Sequence, residues 1–186
     1  MDFRDTPEEA SFRARARGWL SAHARPRREG AAATPLGEGV DEAAVRAAQA
    51  WQKKKAEAGW ACLRWPKKYG GRGATPIQSV IWGQEERKFK TPPDIYGIGL
   101  GMCGPTILTH GSDEQKQRWI PKMVTGEEIW CQLFSEPGAG SDLAALRTMA
   151  VRDGDDWIVN GQKIWTTGAQ FCDWGILVTR SDADAA

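Results

Sequence analysis

Histidine is nearly absent from this chain. Only His23 and His110 occur, too few and too far apart to assemble a zinc site or a Ser-His-Asp constellation. The four cysteines, Cys62, Cys103, Cys131 and Cys172, form no C-x-x-C pair, and they are read as small core residues rather than disulfides or metal ligands. Neither sign of charge dominates. With 25 basic and 24 acidic residues the formal net charge is +1, which gives no general pull on nucleic acid. No apolar run approaches the roughly 20 residues needed to span a bilayer. The first residues carry Arg4, Arg13, Arg15 and Arg17 but also Asp2, Asp5, Glu8 and Glu9, a mixture unlike a transit peptide, and no signal-peptide pattern precedes them. These gaps lead us to expect a reduced, cytoplasmic setting with neither a nucleic-acid partner nor a membrane span.

What is present points first to helices. The 186 residues allow one or two domains with a sizeable core, and the ten tryptophans need indole N–H partners wherever they are buried. Thr6-Pro7-Glu8-Glu9 is a capping box, and Phe12, Ala16, Trp19 and Leu20 come after it at helical spacing, so a helix is expected over residues 7–23. The arginines between them read as a solvated face. Residues 25–40, rich in glycine and proline, read as a long loop. A second, alanine-rich helix is expected over 41–58, ending at Gly59, and turn-rich chain without a period over 63–75. Thr75-Pro76-Ile77-Gln78 opens a third helix toward Phe89. Residues 93–110 are apolar nearly all round, as in a centrally buried helix, and their glycines require close packing to offset a cost of about 1 kcal/mol each. Gly99 to Gly104 also spells G-x-G-x-x-G, but no strand precedes it and Pro105 comes next, so a dinucleotide fingerprint is rejected. Ser112-Asp113-Glu114-Gln115 caps one more helix, ending before Gly126.

After Gly126 the period changes to that of strands. Residues 129–135 are apolar, aromatic and β-prone, and Glu136, preceding Pro137, is biased to extended geometry. Residues 151–159 alternate around Gly154-Asp155, Asn160-Gly161 reads as a two-residue hairpin turn, and 174–180 is the last strand-like run. The expected class is α+β: an all-helical domain over residues 1–126, then an antiparallel β-domain that begins at 127 and runs to 186.

The chemistry is expected where two motifs meet. The first is L-F-S-E-P-G-A-G-S-D, Leu133 to Asp142; the second is N-G-Q-K-I-W-T-T, Asn160 to Thr167. Gly138 and Gly140 are free to take positive φ, and such a loop can aim several backbone N–H groups at one anion, such as a phosphate. A strand ending in this loop, next to a Trp-Thr-Thr strand, is a plausible flavin dinucleotide site. The two motifs, with Gly104-Pro105-Thr106, His110-Gly111, Glu114-Gln115-Lys116 and Gly126-Glu127-Glu128 upstream, resemble the acyl-CoA dehydrogenase family over roughly residues 45–180.

The resemblance implies FAD contacts at Gln132, Leu133, Phe134, Ser135, Gly140, Ser141, Trp165, Thr166 and Thr167, with Ser141 also near an acyl-CoA substrate. It implies oxidation of the Cα–Cβ bond of the thioester, with FAD as hydride acceptor, an electron-transfer flavoprotein as electron acceptor, and a homo- or hetero-oligomer. Phe134-Ser135 stand where relatives carry Val-Thr in Y-C-V-T-E-P, and Gln132 stands in place of an aromatic; serine keeps the hydroxyl, while the other changes bear on acyl-chain preference. Glu136 and Asp142 are read as structural, Glu136 held beside Pro137 and Asp142 capping the segment after it. The family's base is a glutamate in a C-terminal helical bundle, so residues 181–186 read as a truncation point and no catalytic residue is assigned. The alternative is a non-catalytic short paralogue that binds or regulates a full-length subunit through its exposed sheet and helices.

Overall fold

The computed structural model describes residues 4–28 and 40–182. Helix α1 (Pro7–His23) starts at the expected box, with the Glu9 carboxylate accepting from Thr6 N–H at 2.8 Å and the Thr6 hydroxyl accepting from Glu9 N–H. Helices α2 (Glu42–Glu57), α3 (Pro76–Glu86) and α5 (Asp113–Thr125) begin at the caps Asp41, Thr75 and Ser112. Helix α5 ends at Gly126, whose φ of +80° suits glycine. Part of the expected loop forms a short ladder, β1 (Arg25–Pro26) antiparallel to β2 (Phe89–Lys90). The rest of it, residues 29–39, lies outside the described residues, as do 183–186.

One core lies where α1 crosses α3: Phe12, Ala16 and Leu20 meet Trp60, Ile81 and Trp82, with the indoles of Trp60 and Trp82 stacked at 4.7 Å. Only part of the apolar face expected for α3 is used, since Ile77 and Val80 point to the exposed side. Helix α2 is tied to the end of α5 by the buried amide of Gln52, which donates to the Val124 carbonyl at 2.9 Å. A second core gathers Trp65, Cys103, Ile120, Met123 and Trp130.

The glycine-rich segment is helical, which agrees with rejecting the dinucleotide fingerprint. A π-helical turn, Gly99–Cys103, runs directly into α4 (Gly104–His110). A Cβ on Gly104 would stand 2.3 Å from the Trp65 ring, so here close packing dictates glycine. Not every indole finds the partner expected of it. Trp82 donates to Glu86 at 3.1 Å, but the buried N–H groups of Trp119 and Trp130 find no acceptor among the described residues. Of the cysteines, Cys62, Cys103 and Cys131 are buried and free, as core residues should be, and burial pushes the Cys62 thiol up to about 12.

The β half is α+β in class but not antiparallel throughout. Strand β3 (Trp130–Leu133) pairs in parallel with β6 (Trp174–Leu177), whereas β4 (Met149–Asp153) and β5 (Asp156–Asn160) form an antiparallel hairpin. A parallel pair needs a crossover that returns the chain to the same end. Here the crossover consists of the hairpin and irregular chain, with no long helix to announce it in the sequence. The hairpin turns at Gly154-Asp155, where Gly154 has φ +61°. Asn160-Gly161 is therefore not a turn. A Cβ on Gly161 would sit 2.2 Å from the Thr148 hydroxyl, so this glycine serves a close approach instead.

Candidate functional site

Strand β3 stops at Leu133, so Phe134 and Ser135 continue it as irregular chain, and Trp165-Thr166-Thr167 is not a strand either. Trp165 has φ +58°, the left-handed region that bulky residues rarely enter. One such residue breaks the two-residue alternation of a strand. The indole of Trp165 accordingly stands 86 % exposed.

The two segments are nevertheless neighbours. Ile164 N–H donates to the Ser135 carbonyl at 2.9 Å, and the Lys163 ammonium donates to the Phe134 carbonyl at 2.9 Å. The carbonyls at the end of β3 are thus occupied. The donors are not. Among the described residues the N–H groups of Phe134, Ser135, Trp165, Thr166 and Thr167, and the hydroxyls of Ser135, Thr166 and Thr167, donate to no protein acceptor. Ser135 and Thr166 are half-buried, where a polar group without a partner is costly unless a ligand or water supplies one. Thr167 and Gly168 share a small cavity with Ile95, Ile98, Trp130 and Phe171, so the helical half contributes a wall.

Glu136 anchors this arrangement. Its carboxylate accepts from Lys163 Nζ at 2.8 Å, from Arg147 N–H at 2.6 Å, from Thr148 N–H at 3.0 Å and from the Thr148 hydroxyl. The Lys163 ammonium first, and the Thr148 hydroxyl next, hold its carboxyl down at about 2. The structural role expected of Glu136 is thus observed. Asp142 departs from expectation: it precedes the short 3₁₀ turn Leu143–Ala145, but its side chain makes no capping bond.

The loop between them also differs from its expected form. Neither Gly138 nor Gly140 takes positive φ; the turn is instead closed by reciprocal bonds, Glu136 N–H to the Ala139 carbonyl at 2.8 Å and Ala139 N–H to the Glu136 carbonyl at 3.1 Å. Pro137 at the second position suits either a type I or a type II turn, and the lack of positive φ at Gly138 excludes type II. Beyond it, the N–H groups of Gly140, Ser141 and Asp142, three consecutive exposed residues, donate to no acceptor among the described residues.

The sequence matches the family described as "Acyl-CoA dehydrogenase, N-terminal domain" over residues 6–127 and "Acyl-CoA dehydrogenase, middle domain" over 131–186. The chain belongs to the acyl-CoA dehydrogenase family. Acyl-CoA dehydrogenase IpdE1 of Mycobacterium tuberculosis is 39% identical over 172 residues, 92% of this chain and 44% of that protein. Among solved acyl-CoA dehydrogenase folds, the ChsE4-ChsE5 complex from Mycobacterium tuberculosis superposes with a TM-score of 0.76 at 34% identity, covering 97% of this chain and 44% of that one. The Tcur3481-Tcur3483 steroid ACAD also reaches 0.76, at 29% identity, with 100% and 46% covered. The chain therefore spans less than half the length of these relatives.

Sequence reasoning missed Lys163 and the pairing of Gly161 with Thr148. A signal was available: a lysine beside Ile164 and Trp165 needs a counter-charge, and Glu136 lies in the other motif.

Proposed function

We propose that this chain supplies part of the FAD site of an acyl-CoA dehydrogenase that oxidises the Cα–Cβ bond of an acyl-CoA thioester to the 2-enoyl-CoA. The observation that carries the reading is the group of unused donors at Ser135 and Trp165–Thr167, fixed beside one another by Ile164 and Lys163. A planar ring rich in nitrogen and oxygen acceptors suits such donors. When bound there, FAD supplies the hydride acceptor for Cβ of the thioester.

The residues that would hold it are Gln132, Leu133, Phe134, Ser135, Gly140, Ser141, Trp165, Thr166 and Thr167. The Ser135 and Thr166 groups would donate toward atoms that gain negative charge on reduction. The N–H groups of residues 140–142 suit a diphosphate, and the hydroxyl of Ser141 would stand near the thioester substrate. The exposed indole of Trp165 offers a face for stacking. Glu136 does not serve as base, because the Lys163 ammonium and the hydrogen bonds on its carboxylate lower its proton affinity. The proton from Cα goes to a carboxylate outside the two motifs, and electrons pass onward to an electron-transfer flavoprotein. No helix among the described residues is long and apolar enough to cross a membrane.

Titration with FAD, monitored by flavin fluorescence, tests the reading. We expect saturable binding, weakened by about tenfold in Ser135→Ala/Thr166→Val through loss of hydrogen bonds to the ring. Equal affinity in the double variant, or no uptake by the unaltered protein, overturns it.

A second reading draws on the β4–β5 hairpin, where Val151, Trp157, Ile158 and Val159 are about half exposed. Apolar surface of this kind marks association. In that reading the chain is a non-catalytic partner of a full-length subunit within a homo- or hetero-oligomer. Sedimentation with and without a full-length relative separates the two: a monomer in both cases removes the partner reading.

A further inference from the structure

Among the described residues one ion pair joins the two motifs, beside the Ile164–Ser135 backbone bond, and the atoms it engages are informative. Lys163 is almost wholly enclosed, with 8 % of its side chain exposed, and its ammonium is shared between the Glu136 carboxylate and the Phe134 carbonyl. The next residue, Ile164, bonds back to Ser135. The residue after that is Trp165, in its left-handed conformation. A lone αL tryptophan persists only where its surroundings over-determine it. Here both bonds on its N-terminal side run to the end of β3, while on its C-terminal side the Thr166 carbonyl accepts from Ala169 N–H at 3.3 Å. On the other side of the carboxylate, Thr148 and Arg147 fix Glu136, and Gly161 lies against Thr148 with no room for a Cβ.

We infer that Lys163 and Glu136 are positioning residues for the flavin: their ion pair locks the Phe134–Ser135 segment to the Ile164–Thr167 segment, holding Trp165 in its left-handed conformation and the unused donors in register. Their effect would act through the backbone rather than by contact with the ring. By taking the Phe134 carbonyl, Lys163 also leaves the N–H as the unused backbone group of that residue. This inference rests on the flavin reading for the identity of the ligand, but not for the lock itself.

The test compares the unaltered protein with Lys163→Met, Glu136→Gln and the double variant by two readouts. The first is the dissociation constant for FAD. The second is hydrogen exchange at the Ile164 and Thr148 amides, which needs no cofactor. We expect each single variant to bind FAD on the order of tenfold more weakly, and the double variant to be no weaker than Lys163→Met alone, because the pair acts as one unit. Ile164 should lose protection in Lys163→Met while the β4–β5 amides keep theirs. If Lys163→Met proves insoluble, Lys163→Gln, which retains a donor for Phe134 but no charge, takes its place with the same expectations at Glu136. Additive losses, or unchanged affinity in Lys163→Met, overturn the positioning role. If the unaltered protein takes up no FAD, the flavin reading falls while the exchange readout still decides the lock: equal protection of Ile164 in both proteins overturns it.

Discussion

Glu85 in α3 and Glu136 after β3 are both shielded from solvent and both held at about pKa 2, yet the groups facing them differ in kind. Glu85 is fully enclosed among side-chain cations: Arg17 at 2.9 Å, Arg13 at 3.1 Å and Lys88 at 2.7 Å. Two of these, Arg17 and Lys88, are more than half exposed. That carboxylate fastens α1 to α3, two elements that also share a hydrophobic core. Glu136 has one cation, itself enclosed, and otherwise backbone N–H groups and a hydroxyl. It fastens irregular segments that share almost no core. The helical half thus uses charge to supplement packing, whereas the irregular segments around Glu136, outside the core clusters, are joined by charge and hydrogen bonds.

The largest effect should come from breaking the helical example. Glu85→Gln leaves Arg13 and Arg17 facing a neutral amide, and we expect a loss on the order of 2–3 kcal/mol in urea unfolding, below the full range for a broken buried pair because Arg17 and Lys88 retain water. The pH dependence has a definite sign. The folded carboxyl lies at about 2 against an ordinary 4.5, so its contribution is present above pH 4.5 and disappears as pH falls toward 2. Glu85→Gln should therefore flatten the acid limb of the stability curve within that window. An unchanged acid limb would mean that Glu85 is not the group on which the helical half depends.

Next come two glycines, one in each half. A Cβ at Gly104 would meet the Trp65 ring at 2.3 Å and Met123 Sδ at 2.9 Å, inside a closed core. Gly104→Ala should cost about 2 kcal/mol through overpacking. At Gly161 the obstruction is as short, 2.2 Å to the Thr148 hydroxyl and 2.7 Å to the Thr148 Cα, but Gly161 itself is exposed and lies outside any strand. We expect about 1 kcal/mol there, with most of the effect appearing as faster exchange at Thr148. A larger loss at Gly161 than at Gly104 would break the comparison, because it would show the Glu136 region to be the more rigid of the two.

This contrast also explains what could be read from the sequence. Capping boxes are local, and Thr6, Thr75 and Ser112 each specify a helix start from four residues. Gly126 marks a stop in the same way. The direction of β6 relative to β3 is not local; it depends on how the intervening chain returns, and nothing in residues 130–133 or 174–177 encodes that. The α+β class was legible from the change of period, but the parallel pair was not. At the candidate site, the residue types in both motifs were legible. The left-handed backbone at Trp165 was not, because a tryptophan carries no preference for it and long-range bonds from Lys163 and Ile164 impose it.

The smallest expected effect concerns two tryptophans in opposite surroundings. Trp60 is 4 % exposed, stacked on Trp82 and covered by the Arg72 guanidinium at 3.9 Å. Trp157 on β5 is 55 % exposed, and its whole strand faces solvent. Trp157→Ser should change the unfolding free energy of the isolated chain by no more than about 0.5 kcal/mol. The measurement is most informative at two protein concentrations. A cost above 1 kcal/mol that grows with concentration would mean that the hairpin is covered by another polypeptide surface in solution, since association stabilises only the form that buries the indole. A small cost independent of concentration keeps the β4–β5 hairpin as the open partner in this comparison.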